Sequence, residues 1–319
     1  MAHLPVLYNE VMSALQPHPG GRYLDATVGG GGHSRGILAA SAPGGRLLGT
    51  DADADAISAA SVALAEFGSR AVLRQCWIDE APAMAQAEGF TPLDGVLVDL
   101  GLSSNQLDDP QRGLSFMREG PLDMRFDRSK GLTAAEIIDA SSVDDLRVIL
   151  RDYGEVPDAR RVAEAIWAAR PIRTTAELRT VVEKTHHHHN RRHERHLSGA
   201  RSARIHPATQ VFQAFRIAVN DELRRLADAL PRLIDSLAGG GRMAVISFHS
   251  LEDRIVKLAF REASNSLQAQ PGFGDPSAAP PVRVRLLTKK PIEPSETEAA
   301  ANPRARSAKL RVVEKLHGV

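Results

Sequence analysis

Four short apolar runs in the first hundred residues, separated by helical stretches, constrain the fold of this chain more than any other feature. Arg22-Tyr23-Leu24-Asp25 runs into a set of glycines, residues 46–50 (RLLGT) end at Asp51, residues 71–75 (AVLRQ) end near Trp77, and residues 93–100 (LDGVLVDL) end at Gly101. Between them lie Ala-rich segments such as residues 53–68, closed by Gly68 in the manner of a helix C-terminus. Strands alternating with helices of this length predict βαβ units and a parallel sheet. Ligands of such sheets bind beyond the carboxyl ends of the strands. Asp25, Asp51, Trp77 and Asp99 fall at those ends.

The pattern changes at about residue 106. From there to 207 the sequence predicts short helices with no strand between them, a small helical domain inserted into the α/β one. Thr133-x-x-Glu136, Ser142-x-x-Asp145 and Thr174-x-x-Glu177 read as capping boxes. Leu146, Ile149, Leu150 and Tyr153 form one apolar face, and Leu178, Val181 and Val182 another. The domain plan is therefore 1–105 and 208–319 for the two parts of the α/β domain, with 106–207 between them for substrate recognition. One long helix is expected from Phe212 to Leu237, with Pro231 as a potential kink and Gly239-Gly240-Gly241 as its stop. A buried strand is expected over 242–248, with Ser250-x-x-Asp253 capping the next helix. Residues 263–281 read as a flexible loop, and 282–287 and 309–313 as final antiparallel strands.

Composition narrows the class. The 319 residues are 43% hydrophobic and 25% charged, which supports a core and excludes wholesale disorder. No apolar run approaches the ~18 residues of a membrane helix, and the N-terminus carries no signal-peptide core. The single cysteine, Cys76, excludes an internal disulfide framework and a multi-cysteine zinc site. A cytoplasmic, globular protein is expected. Residues 1–100 carry 5 Lys+Arg against 11 Asp+Glu, whereas the remainder carries 35 against 28. An acidic first third and a basic remainder suit a small-molecule site joined to a polyanion-facing surface. Arginine outnumbers lysine 33 to 7, which fits phosphate gripping and equally a codon bias.

The strongest local signal is DATVGGGGH, residues 25–33. Its four glycines allow a sharp turn and close approach to a ligand. Asp51 lies 20 residues past Gly31, the spacing at which a carboxylate accepts hydrogen bonds from a ribose diol. The loop does not complete G-x-G-x-x-G, because the last position is Ser34 counted from Gly29 and Arg35 counted from Gly30. Asp25 is also a poor neighbour for a pyrophosphate on the helix N-terminus. It suits a positively charged adenosyl ligand such as S-adenosylmethionine. Trp77 is either a platform for adenine or a core residue. His33 either touches the ligand or caps the helix beginning near Ser34.

Further along, DLGLSSNQLDDPQRGLSFMREGPLDMRFD (99–127), FQAFRIAVNDEL (212–223), SFHSLEDR (247–254) and NPRARS (302–307) join the glycine loop. Together these segments resemble the bacterial 16S ribosomal RNA cytosine-N4 methyltransferases, and the likeness runs from Val6 to about Val313. The resemblance implies a Rossmann-like class I S-adenosylmethionine-dependent methyltransferase fold, α/β, with an inserted all-helical domain. It implies methylation of the exocyclic N4 of a cytidine in the decoding region. The expected partner is 16S rRNA within the small ribosomal subunit; no membrane is expected, and a homodimer stays open. By the same resemblance Gly31, Gly32, His33, Asp51, Trp77, Asp99 and Gln106 match cofactor-binding positions, with Trp77 where the family usually has Phe or Tyr. Gln210 departs from a position that is usually basic, and the run 186–205 is longer and more basic than expected.

Direct in-line transfer needs no covalent intermediate, so Cys76 reads as a buried thiol and not a nucleophile. The weakly nucleophilic amine calls for acceptors beside its hydrogens. Asp99 or the carbonyls of Leu100 and Gly101 are candidates, with Ser103 and Ser104 as further ones or as loop caps. An extruded base needs a stacking plane, for which Phe116, Phe126, Phe212 and Phe248 are candidates against a plain core role. His249 either faces the target pocket or bridges strand and helix. Residues 186–206 hold five arginines and seven of the twelve histidines against one glutamate, a phosphate-binding stretch or a solvated loop. His189 and His193 share a helix face without acidic or cysteine partners, so no metal is expected. Arg304 and Arg306 serve RNA, the cofactor pocket or a sheet edge. The rival functions are a nicotinamide-dependent oxidoreductase and a noncatalytic ribosome-assembly factor.

Overall fold

The structure, a computed structural model, describes residues 5–193, 206–264 and 281–318, without the side chains of Ser104 and of 186–193. The chain divides into two compact units, Met1–Gly101 with Leu223–Val319, and Leu102–Glu222.

The first unit is built on the strands β1 (Arg22–Asp25), β2 (Arg46–Asp51), β3 (Ala71–Gln75), β4 (Leu93–Asp99), β5 (Leu237–Ser247), β6 (Val284–Leu286) and β7 (Lys309–Lys315). They form one sheet in the order β3-β2-β1-β4-β5-β7-β6. The first five are mutually parallel, and β7 lies antiparallel between β5 and β6. Side chains alternate between the two faces, as the two-residue period of a strand requires. Leu24, Leu48, Val96, Val98 and Val245 face α4 (Ala81–Ala87), α11 (Glu222–Asp235) and α12 (Ser250–Ala263). Tyr23, Leu47, Leu97, Ala244 and Ile246 face α1 (Tyr8–Leu15), α2 (Gly32–Ala40) and α3 (Ala54–Ala63). With both faces covered, the strands read as near-continuous apolar runs, which is why they are visible in the sequence. The remaining helix of this unit is α13 (Glu296–Ala301).

The order reverses between β1 and β4, the switch point at which open α/β sheets bind ligands. Asp25 pairs in register with Leu97, which brings the ends of these two strands together.

The second unit contains α5 (Ser104–Asp108), α6 (Ala134–Ala140), α7 (Val143–Gly154), α8 (Ala159–Ala168), α9 (Thr175–His193) and α10 (Pro207–Asn220). All three expected capping boxes form, with Glu136, Asp145 and Glu177 reaching back to their caps. Ile138, Leu146, Leu150, Ile166, Leu178, Val182, Phe212 and Phe215 make its core. The buried Asn220 fastens it: Nδ2 donates to the Met124 carbonyl at 2.8 Å, and Oδ1 accepts from the Phe126 N–H at 2.8 Å. The unit extends past the expected boundary at 207, because Phe212 and Phe215 of α10 belong to this core.

Three local expectations need correction. The long helix from 212 to 237 is two helices, α10 and α11, broken at Asp221, whose φ of 52° is left-handed. The glycines 239–241 do not stop a helix but lie inside β5, which begins at Leu237; the pairing with β4 is irregular there, and Gly240 has φ 82°. The cap of α12 is His249, not Ser250, with Glu252 as its reciprocal partner. The expected loop 263–281 and the basic stretch 186–206 fall mostly outside the described residues. Among those residues, no helix is long and apolar enough to cross a membrane.

Candidate active site

The parallel strands β1 to β4 end on one edge of the sheet, with β1 and β4 flanking the point where the order reverses. After β1 the chain turns through residues 26–31. The Val28 N–H donates to the Thr50 carbonyl at 2.8 Å, and Gly31, with φ 81°, receives the first turn of α2. A Cβ on Gly32 would stand 2.6 Å from Pro5, so that position has no room for a side chain. One on Gly30 would meet nothing within 4 Å, so the loop's outer edge is open.

Asp51 closes this loop from the neighbouring strand. One carboxylate oxygen accepts from the Gly29 N–H at 3.0 Å, the other from the Asp53 N–H at 3.0 Å. Asp25 is 1% exposed and is spent on the scaffold, accepting from the Ser34 hydroxyl at 2.6 Å and the Thr27 N–H at 3.2 Å. Burial raises its pKa to about 6 despite those bonds.

Asp99 ends β4. Its N–H donates to the Thr27 hydroxyl at 2.6 Å, and its carboxylate accepts from the Gly101 N–H at 3.4 Å. A Cβ on Gly101 would lie 2.6 Å from the Phe248 ring, so the absence of a side chain there lets Phe248 pack over this turn. Desolvation pushes the Asp99 pKa up to about 7. The Gly101 N–H opposes it, and the negative charges of Asp25 and Glu252 add to it. The Asp99 side chain is nevertheless 24% exposed, unlike Asp25, so it is the carboxylate that an incoming group can reach.

His33 stands one residue inside α2 and does not cap it; the cap is Gly31. Its Nε2 is 3.7 Å from Asp99, and its ring stacks on Tyr8 at 6.0 Å. Both ring nitrogens are buried, with the Val6 backbone as a polar neighbour opposing the effect of burial. Burial lowers its pKa to about 4, so it is neutral at pH 7 and does not form an ion pair with Asp99. A buried polar ring 3.7 Å from a partly exposed carboxylate fits a bound polar ligand.

Trp77 follows β3, and the Cys76 N–H just before it donates to the Asp51 carbonyl at 3.0 Å. The Arg225 guanidinium lies 4.2 Å above the indole centroid. Glu252 is buried beneath Phe248, accepting its N–H at 2.8 Å. The two ring nitrogens of His249 both turn to α12: Nδ1 accepts from the Glu252 N–H at 3.4 Å, and Nε2 lies 3.0 Å from the Glu252 carboxylate. His249 therefore bridges strand and helix.

Gly31, Gly32, His33, Asp51, Trp77 and Asp99 thus gather in one unit. Ser103 and Gln106 belong to the other, where Ser103 caps α5: its hydroxyl accepts the Gln106 N–H at 3.2 Å, and Gln106 Oε1 accepts the Ser103 N–H at 2.9 Å. The Ser104 side chain lies outside the described residues. Phe212 is in the core of that unit with Phe116 and Phe126 packed against it, and Phe116 also stacks on His206 at 4.9 Å. Gln210 donates to the Glu155 carbonyl at 3.2 Å. Arg304 and Arg306 sit exposed on the short helix Pro303–Ser307.

Thr27, Ser34, Arg225 and Glu252 were not anticipated as parts of this arrangement. Ser34 and Thr27 flank the glycine run in sequence and carried a local signal; Arg225 carried none, being far along the chain from Trp77.

Burial raises the Cys76 thiol to about 11, with Glu80 adding repulsion. Cys76→Ala is expected to leave turnover within about twofold, and the native thiol to react with a disulfide reagent at pH 7.5 far more slowly than in denaturant.

Residues 1–316 match the MraW methylase family. The Ribosomal RNA small subunit methyltransferase H of Thermomicrobium roseum is 45% identical over 317 residues, covering 98% of this chain and 94% of its own length. Proteins of the same name from Syntrophotalea carbinolica and Geobacter sp. strain M21 are each 46% identical, covering 98% of both chains. A solved rRNA methylase from Clostridium thermocellum is 12% identical with a TM-score of 0.43, covering 99% of this chain and 100% of its own, a likeness that adds nothing to the sheet order. On the strength of the full-length match, the chain belongs to the MraW methylase family.

Proposed function

We propose that the protein methylates the exocyclic N4 amine of a cytidine in the decoding region of 16S rRNA. The carrying observation is Asp99, a partly exposed carboxylate at the switch point whose N–H is held by Thr27 of the glycine loop. The relatives' printed name supports rRNA of the small subunit as the substrate.

The cofactor is S-adenosylmethionine, which when bound supplies an electrophilic methyl group. The residues present suit it. Asp51 and the backbone of residues 29–31 would hold the ribose and the loop side, Trp77 the adenine, and Asp99 with the buried His33 the polar end. Gln106 is a further cofactor-binding candidate, and Ser103 and Ser104 are candidates for contact with the target amine.

With the cofactor bound, methyl transfer to N4 would break its carbon–sulfur bond and would require one N4 proton to leave. Asp99 accepts a hydrogen bond from that N–H, which localises the lone pair, and then takes the proton. The Thr27 hydroxyl holds the Asp99 main-chain N–H and the Gly101 N–H holds its carboxylate, which positions the group in advance. The helical unit Leu102–Glu222 and the basic stretch after Thr185 serve RNA recognition in this reading, which makes affinity salt-dependent.

The test is transfer of radiolabelled methyl from S-adenosylmethionine to undermethylated 30S particles and to naked 16S rRNA, with the modified base mapped. Label on the N4 of one cytidine is the expected result. Label on another atom or base, or none on either substrate, rejects the proposal.

A further inference from the structure

We propose that Arg225 is a positioning residue for the cofactor's adenine, fixing the Trp77 indole against which that base packs. The inference rests on the adenosyl-site reading above and adds a residue to it.

Arg225 comes from α11 and Trp77 from the turn after β3, so no local rule brings them together. The guanidinium lies 4.2 Å from the indole centroid, within cation–π range. Asp79, two residues past Trp77, anchors it by accepting from Nη1 at 2.7 Å. The pair is largely withdrawn from water, with side chains 22% and 15% exposed. The Nε–H of Arg225 is buried without a hydrogen-bond partner.

The other tryptophan shows the contrast. Arg170 also lies over a ring, that of Trp167, at 4.6 Å. There the guanidinium donates to the carbonyls of Ile138, Asp139, Ser141 and Trp167. Arg170 closes helix ends and needs no ligand to account for it. Arg225 has one carboxylate and one aromatic face, and that face belongs to the ring that follows β3. Through the Cys76 N–H bond to the Asp51 carbonyl, the strand end carrying Trp77 is tied to the ribose-side carboxylate. With Asp79 holding the guanidinium and the guanidinium holding the indole, the ring plane is set before the ligand arrives, which lowers the ordering cost of binding.

The experiment measures S-adenosylhomocysteine binding by titration calorimetry to the full chain and to Arg225→Ala, Arg225→Lys, Asp79→Asn, Trp77→Ala and the Arg225→Ala/Trp77→Ala double variant. Arg225→Ala is expected to raise Kd by about five- to thirtyfold, with Arg225→Lys and Asp79→Asn smaller in the same direction and the KM for RNA unchanged. In the Trp77→Ala background the Arg225 change is expected to cost less than about twofold, a non-additivity that a purely structural role would not produce. Should Arg225→Ala fail to fold, Arg225→Lys and Asp79→Asn carry the same comparison. Wild-type protein that binds S-adenosylhomocysteine while the Arg225 variants bind within twofold of it overturns this inference alone, as does an additive double variant. Wild-type protein that does not bind it at all overturns the adenosyl site and this inference together.

Discussion

Asp99→Ala is expected to lower methyl transfer by about two to four orders of magnitude, the range for a positioned proton acceptor, in a protein that still folds. The side chain is 24% exposed and makes one long hydrogen bond, to the Gly101 N–H at 3.4 Å, so little packing is lost with it. Asp99→Asn sharpens the test, because the amide keeps the shape and an acceptor for Gly101 but cannot take a proton. The pH dependence follows from the raised pKa. The acceptor works only as a carboxylate, so the wild-type rate rises with pH and levels off above about 7, while the residual rate of Asp99→Asn lacks that step. The stability consequence has the opposite sign. A carboxyl whose folded pKa lies above its value of 3.8 binds protons more tightly in the folded state. Folding stability from this group is therefore lost as pH rises from about 4 through 7. Asp99→Asn removes that penalty, so above pH 7 it should melt no lower than wild type. An Asp99→Asn enzyme with normal turnover, or with the wild-type pH step intact, would remove Asp99 from the chemistry.

The parts of this protein that are legible in its sequence are those governed by short-range periodicity. β1, β2 and β4 carry apolar residues on both faces because both faces are covered, and each ends on an acid that its neighbours then hold by backbone N–H groups. Capping boxes are equally local, and all three expected in the helical unit form. The misreadings arise where a local pattern has two physical meanings. Phe215, Val219, Leu223 and Leu226 keep helical spacing across Asp221, because a single left-handed residue changes the direction of the chain without disturbing the apolar order on either side. Three consecutive glycines mark a helix stop or a distorted strand start, and the pairing of Leu237 with Leu93 decides for the strand. The imidazole of His249 accepts from a helix N–H as a serine would, which shifts the cap by one residue. Asp25 looked aimed at a cationic ligand; instead the Ser34 hydroxyl and Thr27 N–H consume it, and Asp99 presents the reachable charge. The partners of Trp77 and of the Asp99 N–H are not legible, since Arg225 and Thr27 meet them only through the tertiary fold.

Asp51→Ala is expected to weaken S-adenosylhomocysteine binding by about tenfold to a hundredfold, since hydrogen bonds to a charged group contribute about 1.5–3 kcal/mol. Two effects are combined in that loss. The carboxylate holds the Gly29 and Asp53 N–H groups, each at 3.0 Å, so its removal loosens both the glycine loop and the entry to α3. As the proposed ribose acid it would also accept from the sugar hydroxyls. A second ligand separates the two contributions. If Asp51 reads the diol, wild-type protein prefers S-adenosylhomocysteine over its 2′,3′-dideoxy analogue by about tenfold or more, and Asp51→Ala binds both with nearly equal Kd. If the residue only braces the loop, affinity for both ligands falls in parallel and the preference survives in the variant. Asp51→Asn discriminates further: its amide can accept from only one of the two N–H groups and presents donors to the other, so it should resemble alanine more than aspartate. Asparagine binding within twofold of wild type would show that neither the charge nor the double acceptance matters, and the ribose assignment would have to move to another group at the end of β2.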